Sequence, residues 1–179
     1  MIPRVFDQDV RSCWPTVNPE CYWVFKNAVP YERWDGMEAY IHNGQVYRLS
    51  LRGERLNPFV HAKYTGINPM LKSDDVYREA FSRTVQCMMG NMTEAEGPCN
   101  LVGPTVAGNP YGLNWHALWP YTMRELRPFP EKLDPETLRA FLAKWPIRGI
   151  LFVDREHGHL AEVTRKECGL PWPVPEAVL

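Results

Sequence analysis

Four arginines, Arg33, Arg48, Arg52 and Arg55, fall in or just after one short stretch, "ERWDGMEAYIHNGQVYRLSLRGER". A guanidinium presents a planar fork of N–H donors that grips phosphate oxygens in pairs. It stays protonated in proteins, so it can hold an anion but cannot attack phosphorus. The cluster therefore suggests an anion-binding surface without a nucleophile, or else a solvated hairpin edge. Lys26, Lys63 and Lys72 are the nearest amines along the chain, and Lys63 in "FVHAKYTG" is the best placed to substitute as a nucleophile. His61 and His116 are candidate acid–base groups, but they stand beside aromatics, where a packed, hydrogen-bonded histidine is the commoner outcome. His157 and His159 flank a turn glycine, and no metal site is expected from them.

The elements that would carry these groups are legible in part. "CYWVF" (21–25) has the aromatic and β-branched content of a strand. "MEAYIHNGQVYRLSL" reads as a β-hairpin, because Asn43-Gly44 suits a turn whose two central residues need positive φ. Ala39 and Ile41 then share one face, and Glu38, Tyr40 and His42 the other. A loop is predicted over 53–72. "SDDVYREAFSRTVQCMM" follows as a helix, with Ser73 as its cap and Asp74 and Asp75 suited to the positive end of its dipole. "CNLVGPTVAGNPYGL" predicts a strand and a Gly/Pro-rich turn region. A second helix starts at Asp134 and Pro135, buries Leu138, Phe141, Leu142 and Trp145, and stops at Pro146. "RGILFVDREHGHLAEVTR" reads as a second hairpin turning near Glu156 to Gly158. Parity would then put Arg148, Ile150, Glu162 and Thr164 on one face and allow Arg148 to pair diagonally with Glu162. Hairpins with helices inserted between them predict an α+β fold on antiparallel sheet. No Rossmann glycine fingerprint or Walker A loop is present.

The chain has 179 residues, enough for one domain with a sizeable core, and a single domain over 1–179 is expected, with 1–20 a surface segment and 174–179 a tail. A net charge of -1 supplies no overall basic field for a long nucleic acid. Five scattered cysteines without C-x-x-C spacing point to reduced thiols in a cytoplasmic compartment. No apolar run approaches a membrane span, so no membrane partner is expected.

Four segments together resemble one family. "ERWDG" is similar to Lys-x-Asp-Gly, and "CNLVGPTVAGNPYGLNWHALWP" to Tyr-Glu-Leu-Val-Gly-Pro, Gly-Asn-Pro-Tyr-Gly-Leu and then His. "RGILFV" is similar to Glu-Gly-Ile-Val-Phe, and "LAEVTRKECGLPWP" to Ala-Lys-Ile-Lys followed by Phe-Gly-Leu-Pro-Trp-Pro. Over roughly residues 21–173 the chain resembles a small RNA ligase of the covalent nucleotidyltransferase superfamily, which also includes DNA ligases and mRNA capping enzymes. The resemblance implies an ATP-grasp-like nucleotidyltransferase domain, with antiparallel sheets and flanking helices around a nucleotide cleft.

Such a ligase forms a lysyl-AMP, passes the adenylate to an RNA 5′-phosphate and lets a 3′-hydroxyl displace it. Magnesium, glutamates and further lysines manage the charge. Here the nucleophile position is Arg33. Asn100 and Arg148 stand where glutamates are expected, and Glu162 and Thr164 where lysines are expected. Asp35, Gly36, Gly103, Pro104, Gly108-Asn109-Pro110, Gly149 and Gly169 to Pro173 persist. The backbone-shaping residues remain while the charge-handling ones are replaced. The expectation is a pseudoenzyme with no catalytic residue, metal or cofactor. It would hold a small nucleotide or nucleotide-derived signal through Arg33, Asp35, Gly36, Arg48, Arg52, Asn100, Arg148, Glu162 and Thr164. A phage-type sponge for a host defence signal, acting in the host cytoplasm, is one use for such a protein. An RNA-end or protein-binding module is the alternative, and an active ligase with a relocated nucleophile the third.

Overall fold

The computed structural model describes residues 2–7, 15–50, 63–87 and 96–174. It is an α+β structure whose strands pair antiparallel. In chain order the elements are β1 (Phe6–Asp7), β2 (Thr16–Val17), a 3-10 turn (Pro19–Cys21), α1 (Val24–Asn27), β3 (Val29–Arg33), β4 (Met37–His42) and β5 (Gln45–Leu49). There follow β6 (Tyr64–Gly66), a 3-10 turn (Lys72–Asp74), α2 (Asp75–Cys87), β7 (Gly97–Val102), β8 (Ala117–Pro120), α3 (Pro135–Ala143), β9 (Gly149–Val153) and β10 (Leu160–Thr164). Two compact units result. Residues 1–34 and 124–179 form the first, and residues 35–123 the second.

The first unit is built on the sheet β10-β9-β3. Ile150, Phe152, Ala161 and Val163 face one way and pack on Leu138 and Leu142 of α3, Val24 of α1, Leu126 and Ile147. Helix α3 begins as its sequence predicts, with Asp134 Oδ1 accepting the Thr137 N–H at 2.8 Å and Pro135 in the first turn. Its far end is closed by Arg165, which is 2% exposed. The guanidinium donates to the carbonyls of Leu142 and Trp145 at the helix end and to Pro171 O at 2.9 Å. One buried cation thus satisfies the last carbonyls of α3 and fastens the "GLPWP" segment. The outer edge of β10 is covered by the N-terminal residues. Val5, 1% exposed, donates its N–H to Glu162 O, and the Glu162 N–H donates to Pro3 O.

The second unit is built on the sheet β6-β5-β4-β7-β8. Asn43 and Gly44 adopt φ of 49° and 69°, so the turn joining β4 to β5 has both central residues in the left-handed region. Ala39, Ile41, Val46, Cys99, Leu101 and Leu118 make one face, packed on Tyr77 and Ala80 of α2. Thr84 of α2 ties that helix to β8, accepting the Leu118 N–H at 2.9 Å and donating to Ala80 O at 2.8 Å.

Three sequence expectations need correction. Residues 21–25 are not a strand but the end of a 3-10 turn and the start of α1. Asn18 accepts the Glu20 N–H and Pro19 opens the turn, so local capping outweighs the β-forming side chains. The predicted loop over 53–72 contains strand β6, which pairs with β5. The last hairpin pairs Leu160 with Val153 and Glu162 with Leu151, so residues of opposite parity share a face. Its connecting residues, Asp154 to His159, number an even six, and Asp154 organises them by accepting the N–H groups of Glu156 and His157. Arg148 therefore adjoins β9 at the register of Ile150, on the opposite face from Glu162 and Thr164.

Candidate functional site

Arg33, Glu162 and Thr164 are brought onto one face of the first unit's sheet, the face turned away from α3. Arg33 lies opposite Gly149 on the central strand, and Gly149 lies opposite Thr164 on the far strand. Arg33 Nε donates to Glu162 Oε2 at 2.9 Å, with the two side chains only 9% and 11% exposed. The pair spans the central strand β9, and glycine at the midpoint leaves that crossing clear of a side chain. Glycine is also required there for the backbone, since an added Cβ would lie 2.4 Å from Val163 O. Arg148 does not reach Glu162 in place of Arg33. It is half-buried, and its carbonyl accepts the Arg165 N–H at 2.8 Å.

On the opposite face of the same sheet, at the register of Ile150, is a second buried carboxylate that the sequence did not single out. Glu32 is 3% exposed, accepts from Trp34 Nε1 at 3.0 Å and lies 3.3 Å from Arg124 Nη1. Its place between Tyr31 and Arg33 in a short strand carries no signal that would distinguish it from a solvated charge.

Asp35 and Gly36 begin the second unit. The Asp35 N–H donates to the Tyr111 hydroxyl. A Cβ on Gly36 would lie 2.3 Å from Leu101 O, so the chain can run against β7 only with glycine here. Asn100, 1% exposed, lies opposite Glu38 in the β4–β7 ladder. Glu38 is held by Lys63 Nζ and by the Tyr64 hydroxyl at 2.7 Å. Burial pushes the Glu38 carboxyl up, but the Lys63 and Tyr64 bonds outweigh it and leave the group below its ordinary range. The Tyr64 phenol is pushed well up by burial and by the same carboxylate. Lys63 also stands 5.1 Å from the Tyr64 ring centroid.

Arg48 is not part of that surface. The two-residue turn sets it opposite Ala39, which puts it on the face of the sheet that packs against α2. Its Nε donates to Asp74 Oδ1 at 2.8 Å, with side chains 7% and 1% exposed. Asp74 in turn accepts the Asn68 N–H at 2.9 Å. Asn100, one residue out of step with Cys99 and Leu101, faces the other side of the sheet. Arg48 and Asn100 are thus separated by the sheet and cannot grip one ligand. Arg52, with Arg55 and His61, lies outside the described residues.

His157 Nδ1 lies 2.9 Å from Asp154 Oδ2, and among the described residues no group of three or more His, Cys, Asp or Glu is arranged to hold a metal ion. Among the described residues no helix is long and apolar enough to cross a membrane. Cys21, Cys99 and Cys168 are free thiols, and burial raises the Cys168 thiol to about 11. Comparison of the chain with protein-family models and with curated proteins gives no match.

Proposed function

We propose that the chain is a ligase-inactive protein of RNA-ligase-like, nucleotidyltransferase-type architecture that binds a small nucleotide or nucleotide-derived signal without turning it over. The observation that carries this is the buried Arg33–Glu162 pair. At the position where the resemblance calls for a lysine nucleophile stands a group that cannot attack, held by a carboxylate where a further lysine is called for. Two replacements that each remove chemistry are complementary to one another. Gly36 and Gly149, each within its own unit, stand where an added Cβ would meet a backbone oxygen at 2.3 and 2.4 Å. A protein that never releases a product can bind its ligand tightly without cost to a later step. Sequestration of a nucleotide signal, as by a phage sponge acting against host defence, is the use this reading favours.

The test has two arms. Labelled ATP and magnesium followed by denaturing electrophoresis should give no covalent band, and native mass spectrometry or thermal shift against mono-, di- and cyclic nucleotides should identify a ligand. A covalent adenylate, or no stabilisation by any nucleotide, overturns the proposal.

A module for an RNA end or a protein partner is favoured by a different observation. Tyr22 and Phe25 are 58% and 42% exposed and line an open surface groove with Val17 and Lys26. Protection of a labelled RNA end, with no response to free nucleotides, would select it.

A further inference from the structure

A chain of three hydrogen-bonding side chains lies in the second unit. Thr105 Oγ1 is 2.8 Å from His116 Nε2, and His116 Nδ1 is 3.3 Å from Glu79 Oε2. In the tautomer protonated at Nδ1, the imidazole donates to the Glu79 carboxylate and accepts the Thr105 hydroxyl proton. A hydroxyl, an imidazole and a carboxylate in that order form an activated nucleophile, its base and the group that orients the base. The three come from separate places in the chain: Glu79 from α2, Thr105 from the turn after β7, and His116 from the residue before β8.

The local backbone is built around this contact. Gly103 has φ of +141°, and a Cβ on it would lie 2.7 Å from both Cα and Cδ2 of His116. Only glycine lets the turn settle onto the imidazole. The Val106 N–H to Gly103 O bond at 3.0 Å then closes the turn with Thr105 inside it. Ala107 and Asn109, neither of them glycine, follow at φ of 51° and 53°. The Asn109 side chain braces that loop, accepting from Leu113 N and donating to Leu113 O, both at 2.9 Å. Left-handed residues of this kind are sterically disfavoured and persist where the surroundings over-determine them. Exposure divides the relay as catalysis needs: His116 is 7% exposed, whereas Thr105 is open to solvent. Glu79 also carries Arg83, whose Nε is 3.3 Å from Oε1, which leaves Oε2 to the imidazole.

We propose that Thr105 is a nucleophile for acyl transfer from small carboxylic esters, with His116 as its general base and Glu79 as a positioning residue. Thr105 Oγ1 bonds to the ester carbonyl carbon while its proton passes to His116 Nε2. The carbon–oxygen bond to the leaving group breaks, and the departing alkoxide or phenolate takes that proton. Water then attacks the threonyl ester and gives a proton to Nε2, the carboxylic acid leaves, and Oγ1 recovers the proton. No oxidant, metal or second substrate is needed.

The probe is p-nitrophenyl acetate, applied to the full chain, with release of p-nitrophenol followed in time and the protein analysed by intact mass and peptide mapping. A burst with one acetyl group on Thr105 is expected. Thr105→Ala should abolish the adduct, and Thr105→Ser should keep it. His116→Gln should slow acetylation about 100-fold or more. Glu79→Gln should slow it less and shift its pH profile, which a merely structural carboxylate would not do. Thr105 is exposed, so its variants should melt like the parent. An acetyl group that maps elsewhere, or a burst that survives in Thr105→Ala, overturns the proposal. So does a wild-type protein that shows no burst.

Discussion

Arg33 and Glu162 meet 2.9 Å apart across the full width of a three-stranded sheet, with Gly149 on the strand between them. Their order in the chain gives no hint of the meeting, since 129 positions separate them. The pair turns two charges from opposite ends of the chain into one structural element. Four consequences can be measured.

Breaking the pair should cost more than removing it. Glu162→Gln leaves a buried guanidinium without its counter-charge and should lower unfolding free energy by about 3–5 kcal/mol. Arg33→Met with Glu162→Leu should come within about 1–2 kcal/mol of the parent, because both desolvation penalties vanish together. Urea denaturation of the single and double variants checks this. Additive losses in the double variant would show that the two side chains act independently.

Restoring the lysine alone should not restore chemistry. Arg33→Lys keeps the charge and places an amine at the motif position, but Glu162 stays within reach to hold it as an ammonium. Labelled ATP and magnesium should therefore give no covalent adenylate in this variant. A labelled band would mean that the amine escapes its partner.

Arg48 should matter for folding and not for ligand. Arg48→Ala strips the counter-ion from Asp74, which is 1% exposed, and should destabilise by about 3 kcal/mol. The shift in melting temperature produced by a stabilising nucleotide should be the same as in the parent. Loss of that shift at a temperature where the variant is folded would return Arg48 to the binding surface.

Acid should loosen the start of α3 over a defined window. The Asp134 carboxyl is lowered from 3.8 to about 2, first by the Lys132 ammonium and then by the Thr137 N–H. A depressed carboxylate contributes fully above its unfolded value and loses that contribution as pH falls through its folded value. Melting temperature should thus decline between about pH 4 and pH 2, and Asp134→Ala should flatten that part of the curve. A parallel decline in both proteins would assign the acid sensitivity elsewhere, Glu38, Glu125 and Asp154 being further depressed carboxylates.

What the sequence made legible follows the strength of local signals. Asn43-Gly44 and the Asp134-Pro135 cap each satisfy an immediate backbone need, and each element formed where predicted. Strands β3, β6 and β8 were passed over because they are short and find their identity only in pairing with distant chain. Arg48 shows what register adds to residue type. A two-residue turn at 43–44 pairs Ala39 with Arg48, so the arginine shares the face of Ala39 and Ile41 and meets Asp74 there. Of Thr105, His116 and Glu79 only the histidine stands out in the sequence as a possible acid–base group, and the three converge only in the folded second unit.

The even count of residues joining β9 to β10 also limits how this protein can change. A strand has two faces, and a slip of one position exchanges them. Deleting or adding a single residue between Asp154 and His159, with the outer strand refitted to its neighbour, would send Ala161 and Val163 outward and drive Glu162 and Thr164 into the packing on α3. Changes in twos keep the faces in place. Length variation in this turn should therefore be tolerated in pairs of residues and resisted singly, a rule that a small library of turn insertions would expose at once.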